Sequence, residues 1–157
     1  MGYDEQHGRY PPRREQKAPT LPAGYLQGGY FDEKEKLRSE LITRMAETVA
    51  KALGDAGVTS AQLRRFFGQV RSIERDLKNR KDFDDVMPAI LSLKPMAANY
   101  VGRGSNQWER ERREVFRQFL DRNVDLVVEN KEKGFKEGFL PHFESVVAYF
   151  KYQFPTK

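Results

Sequence analysis

Cysteine is absent from this 157-residue chain, which excludes disulfides, thiolate nucleophiles, Cys-ligated zinc and iron–sulfur clusters together. Histidine is nearly absent: His7 and His142 are the two, too few for a His-rich metal cage or a nucleophile–base pair. No stretch approaches the roughly 18 consecutive apolar residues that a membrane span needs. Residues 1–20 are polar and proline-bearing, without the apolar core of a signal peptide. The expectation is a cytoplasmic chain with no metal, no cofactor and no membrane partner. Strand signals are missing as well. No run alternates with period two, β-branched residues are sparse, and neither Asn-Gly nor Asp-Gly occurs as a hairpin signal.

What is present is a core and a surplus of positive charge. Hydrophobic residues make up 38% of the chain, enough for one packed domain. Lys and Arg number 28 against 23 Asp and Glu, a net charge of +5 at pH 7 that permits a polyanionic partner without requiring one. The chain divides near Tyr30. Residues 1–30 hold four of the eight prolines and five of the twelve glycines, with four tyrosines at no helical or strand spacing. They read as a flexible Pro/Gly-rich tail. Its cations Arg9, Arg13, Arg14 and Lys17 form either a solvated cluster or a contact to nucleic acid.

Residues 31–157 carry helical periodicity almost throughout. Asp32 is expected to cap a first helix with Leu37, Leu41, Met45, Val49 and Leu53 on one face, ended by Gly54 and Gly57. Thr59 caps a second, carrying Leu63, Phe66, Phe67, Val70, Ile73 and Leu77. Asp84 or Asp85 starts a third with Pro88 in its first turn, and Pro95 breaks or restarts it into a short segment that stops at Gly102-Arg103-Gly104. A long helix is expected from Asn106 to about Asn130, with Trp108, Val115, Phe119 and Leu126 inward. A linker ending at Gly134 and Gly138 then leads to a last helix from Pro141. The fold class is all-α, a compact bundle of about five helices with the tail outside it.

The geometry of the charge matters more than its sum. At about 100° per residue, Arg64, Arg71, Arg75 and Lys78 fall within a strip about 60° wide, with Gly68 on the same side. Glu74 and Asp76 are the local carboxylates, so neutralisation from within that helix is incomplete. A polyanion along the strip would relieve its repulsion; a solvated face over the core edge is the alternative. A second strip, Arg110, Arg113 and Arg117, is interleaved with Glu109, Glu111 and Glu114 and can be satisfied locally. Gly102-Arg103-Gly104-Ser105 lacks the Lys-Ser/Thr ending and the preceding strand of a P-loop, but can present Arg103 and free helix N–H groups to one phosphate.

Chemistry has little to stand on. His142 with Glu144 is the one His–carboxylate neighbour pair in the helical region, and Asp84 with Asp85 is explained by helix capping. No HExxH, GxSxG or Asp-rich metal loop occurs, so no catalytic residue is assigned.

Two segments resemble a known family: Gln62-Leu63-Arg64-Arg65-Phe66-Phe67-Gly68-Gln69-Val70-Arg71-Ser72-Ile73-Glu74, and Leu93-Lys94-Pro95-Met96-Ala97-Ala98-Asn99-Tyr100-Val101-Gly102-Arg103. Together they resemble the small subunit of the type III-A CRISPR–Cas effector, the Csm complex, over roughly residues 31–154. The proline-rich tail is not part of that pattern. The resemblance implies a helical bundle without an active site, acting in antiviral defence. Copies would stack head to tail beside the backbone and large cyclase-like subunits, along the crRNA–target RNA duplex. It carries RNA contact onto Arg64, Arg65 and Arg71 of the first segment and Lys94 and Arg103 of the second; Arg75 and Lys78 join them from the helical strip alone. Three other readings stay open: a structural spacer whose basic face meets protein, a small helical DNA-binding protein, and a His142-dependent hydrolase.

Overall fold

The computed structural model describes residues 17–157. Arg9, Arg13, Arg14 and the rest of the expected tail before residue 17 lie outside the described residues. The fold is all-α, as expected: a short 3-10 turn at Ser39–Ile42, then α1 (Arg44–Asp55), α2 (Ser60–Lys78), α3 (Phe83–Leu91), α4 (Leu93–Gly102), α5 (Gln107–Lys133), a π turn at Gly134–Phe139, and α6 (Leu140–Gln153). α1 packs on α6, α4 lies along α5, and α2 bridges α3 and α6.

The apolar ladders fill the core as their spacing predicts. Leu63, Phe66, Val70, Ile73 and Leu77 of α2 are buried, as are Val115, Phe116, Phe119, Leu120, Val124 and Val127 of α5. Phe66 meets Phe116 edge to face at 4.8 Å between ring centroids, and Phe119 meets Phe143 at 5.1 Å. Each such side chain removed from water stabilises the bundle by about 1.5–3 kcal/mol, before the entropy of ordering it. Trp108 and Leu126, expected inward, are half-buried.

Helix starts are set by side-chain acceptors. Thr59 Oγ1 accepts from the Gln62 amide at 3.2 Å while Gln62 Oε1 accepts from the Thr59 amide at 3.0 Å, a reciprocal capping box. Asn106 Oδ1 accepts from the Glu109 amide at 2.9 Å. The third helix starts earlier than expected: Asp82 is its cap and its amide donates to Asp85 Oδ2 at 3.2 Å. Pro88 therefore stands inside α3 rather than in its first turn, and the Asp84 carbonyl loses its intrahelical donor. Pro95 falls in the first turn of α4, where no intrahelical donor is needed.

Three further expectations are corrected. Asp32 caps no helix: its Oδ1 accepts from the amides of Lys34 and Lys36 at 2.8 and 3.0 Å, closing a tight turn with Glu35 at φ 63°. Phe31 bridges Leu37 across that turn, so the first α-helix begins at Arg44. No linker separates the last two helices. The chain kinks at Lys131 (φ 59°) and runs through the π turn directly into α6. The boundary at Tyr30 also moves, because Tyr25, Leu26 and Tyr30 are 2%, 6% and 1% exposed and belong to the core. Gly138 makes room for this: a Cβ there would collide with the Tyr30 ring.

The segment from 17 to 38 thus forms a strap held by a buried polar network. The Tyr30 hydroxyl donates to Asn123 Oδ1 at 2.7 Å. Asn123 Nδ2 donates to Tyr25 Oη at 3.0 Å and to the Phe119 carbonyl at 2.8 Å. Tyr25 Oη lies 2.6 Å from His142 Nε2, and His142 Nδ1 lies 2.5 Å from the Leu41 carbonyl. A carbonyl only accepts, so Nδ1 carries the imidazole proton and Nε2 accepts from Tyr25. Burial pushes the His142 pKa down to about 4, against the Leu41 carbonyl, which favours the charged form. Burial raises the Tyr25 pKa, so that phenol stays protonated.

Candidate nucleic-acid interface

The basic strip of α2 faces outward, beside the buried ladder and along the edge next to α6. Arg64, Arg65, Arg75 and Lys78 are exposed and Arg71 is partly covered. Their partners divide them. Arg71 Nη1 lies 3.0 Å from Glu74 and Nη2 lies 3.5 Å from Glu144 of α6, with the guanidinium 5.1 Å over the Phe67 ring. Lys78 shares Glu74 at 3.6 Å. Arg64, about one helical turn before Gly68, and Arg75, about two turns after it, hold no hydrogen bond or ion pair among the described residues. Gly68 is exposed and a Cβ there would meet open space. An exposed glycine in the middle of a helix costs about 1 kcal/mol relative to alanine, with no packing in this fold to offset it.

Arg65 points to the other flank of α2, into a cleft of about 320 Å³ between α2, α4 and α5. Arg103, at the end of α4, lines the same cleft. The two sequence segments that carry the family resemblance therefore meet there. Neither guanidinium has a hydrogen-bond or ion-pair partner among the described residues. Lys94 is not brought to this site; its Nζ pairs with Asp125 of α5 at 2.6 Å. Arg103 is exposed; beside it the Ser105 amide donates to Glu109 Oε2 at 2.6 Å and the Gly104 amide to the Val101 carbonyl at 3.0 Å, so these two loop amides are already engaged.

The second strip behaves in two ways. Arg117 is satisfied within its helix, by Glu114 at 2.8 Å and Asp121 at 3.0 Å. Arg110 and Arg113 instead reach the end of α4: Arg110 Nε donates to the Gly104 carbonyl at 3.2 Å and Arg113 Nη1 to the Tyr100 carbonyl at 2.7 Å. Cations are favoured there by the unpaired carbonyls of a helix C-terminus. Arg113 also stacks on the Tyr100 ring at 4.5 Å and lines the cleft beside Arg65 and Arg103. Helical spacing within α5 pointed to local carboxylate partners and carried no sign of this contact.

His142 is fully buried with both ring nitrogens engaged, and Glu144 points to Arg71 instead. The pair does not form. Among the described residues no group of three or more His, Asp and Glu could hold a metal ion, and no helix is long and apolar enough to cross a membrane. A family model described as Csm2 Type III-A matches residues 36–155. No curated protein and no solved structure matches the chain.

Proposed function

The chain belongs to the Csm2 Type III-A family, a small subunit of the type III-A CRISPR–Cas Csm complex, and from that membership we propose that it is a non-catalytic RNA-lining subunit. Copies stack head to tail beside the other Csm subunits and hold the crRNA–target RNA duplex by its backbone, without reading sequence. Guide pairing already supplies the sequence readout, so a lining subunit needs contacts that tolerate any base. Long cations on a rigid helix meet that need. The contact set is Arg64, Arg65, Arg71, Arg75, Lys78, Lys94 and Arg103, with Arg64 and Arg75 readiest because nothing among the described residues competes for them. Arg71, Lys78 and Lys94 must first give up surface ion pairs worth about 0–1 kcal/mol each.

The observation that carries this reading is the outward-facing pair Arg64 and Arg75, without a partner among the described residues, on either side of a bare Gly68. One copy with few phosphate contacts binds weakly; several copies on one filament act multivalently. Head-to-tail stacking is a heterologous contact, which extends into a filament when its rotation does not close.

The double reversal R64E/R75E is expected to weaken capture of target RNA by the assembled complex about tenfold or more. Its melting temperature should be unchanged, since neither side chain supports the fold. Unchanged capture, with the variant subunit confirmed in the complex, refutes the reading. Crosslinks from this face to protein alone would assign it to a structural spacer instead, and preference of the isolated chain for duplex DNA would favour a DNA-binding protein.

A further inference from the structure

The cleft between α2, α4 and α5 gathers three guanidinium groups, those of Arg65, Arg103 and Arg113, and among the described residues no carboxylate lines it. Glu109, near enough to bear on Tyr100, has its Oε2 held by the Ser105 amide. Like charges converging on one concavity repel one another, and low-dielectric walls weaken the screening between them. The fold does not disperse them; it fixes one. Arg113 is tied to the Tyr100 carbonyl and stacked on the Tyr100 ring. Gln62 is also fixed, because its Oε1 accepts from the Thr59 amide at 3.0 Å and from the Tyr100 hydroxyl at 3.2 Å. That orientation leaves its Nε2 as a further donor at the cleft.

One anchored and two unpartnered guanidinium forks match the several oxygens of a phosphate, which accept paired N–H donors. The volume exceeds that of a bare phosphate, and Met96 supplies an apolar wall against which a sugar or base can rest. We propose that the cleft is a phosphate-binding pocket for one nucleotide unit, with Arg65 and Arg103 closing on the phosphate and Arg113 as its fixed anchor. The inference rests on the RNA-contact reading for the source of that nucleotide. It adds a residue, Arg113, and a concave site distinct from the open strip at Arg64 and Arg75.

The test is an NMR titration of the full chain, following the Arg113 Nε–Hε signal and the Arg103 amide. The probes are adenosine monophosphate, a short oligouridylate, and adenosine as the phosphate-free control. Both phosphate-bearing probes should move these signals, and R65Q/R103Q should weaken their binding about tenfold. That variant removes no contact within the fold, and its thermal melt checks that it is folded. Response to the oligouridylate alone assigns the pocket to an RNA backbone phosphate; response to the monophosphate alone assigns it to a free nucleotide. No response to either, an equal response to adenosine, or undiminished binding by R65Q/R103Q overturns the inference. Loss of RNA capture by R64E/R75E complexes in the absence of any pocket response would leave the RNA-contact reading standing while this one falls.

Discussion

The strap and the outer face of α2 are opposite solutions for polar groups. Where the strap meets α5 and α6, every named polar atom of Tyr25, Tyr30, Asn123 and His142 is buried and partnered across the chain. On α2, Arg64, Arg65 and Arg75 are exposed and have no partner among the described residues. A buried polar group left unpaired costs free energy, so the strap's network holds the structure together. An exposed cation without a partner costs little, so it is free to meet something else. Saturation marks the region that stabilises, and its absence marks the face we propose for RNA contact. The family match begins at residue 36, so Tyr25 and Tyr30 precede the matched span while α2 lies within it.

The comparison breaks most readily at the network. Asn123→Ala strands the Tyr25 and Tyr30 hydroxyls and opens a small void, and is expected to destabilise the fold by about 3 kcal/mol. Urea denaturation measures it, and RNA capture well below the melting temperature should be retained. A loss under 1 kcal/mol would mean the network is not closed.

Acid should act on the same region with a comparable ceiling. His142 is held neutral down to about pH 4 in the fold, while the unfolded chain protonates it near 6.5. Between those values the unfolded state binds more protons. The contribution is therefore whole above pH 6.5 and is lost as pH falls towards 4, by about 3 kcal/mol at most. The His142 imidazole resonances should stay flat from pH 7.5 to 5; a midpoint near 6.5 would contradict the assignment.

Gly68→Ala sharpens the contrast from the other side. It should raise stability by about 1 kcal/mol, because alanine is the better helix former and its Cβ meets nothing. It should also weaken RNA capture if a phosphate backbone passes close to the helix there. A variant that is more stable and captures RNA equally well would place the backbone elsewhere on the strip.

The sequence was legible where structure is local. The ladder of α2, its Thr59 cap and the outward strip follow from spacing alone, because α2 is long, periodic and properly capped. The strap was not legible, because its partners lie 93 and 117 residues away and proline and glycine also suit a loose tail. Asp32 misled for a different reason: one carboxylate can cap a helix or close a tight turn, and Glu35 at φ 63° decides for the turn. Arg113 was hidden among neighbouring glutamates, since its carbonyl partner is supplied by another helix. Arg65 and Arg103 were both named from sequence, but their meeting in one cleft depends on how α2 packs beside α4 and α5.

The salt dependence of binding to single-stranded RNA by the isolated chain tests the central claim most directly. With R64Q/R75Q against the unaltered chain, the log–log slope should become shallower by about 0.7 for each phosphate contact removed, roughly 1.4 for the pair, whatever the RNA sequence. Equal slopes for the two proteins, or slopes that change with base composition, would contradict it.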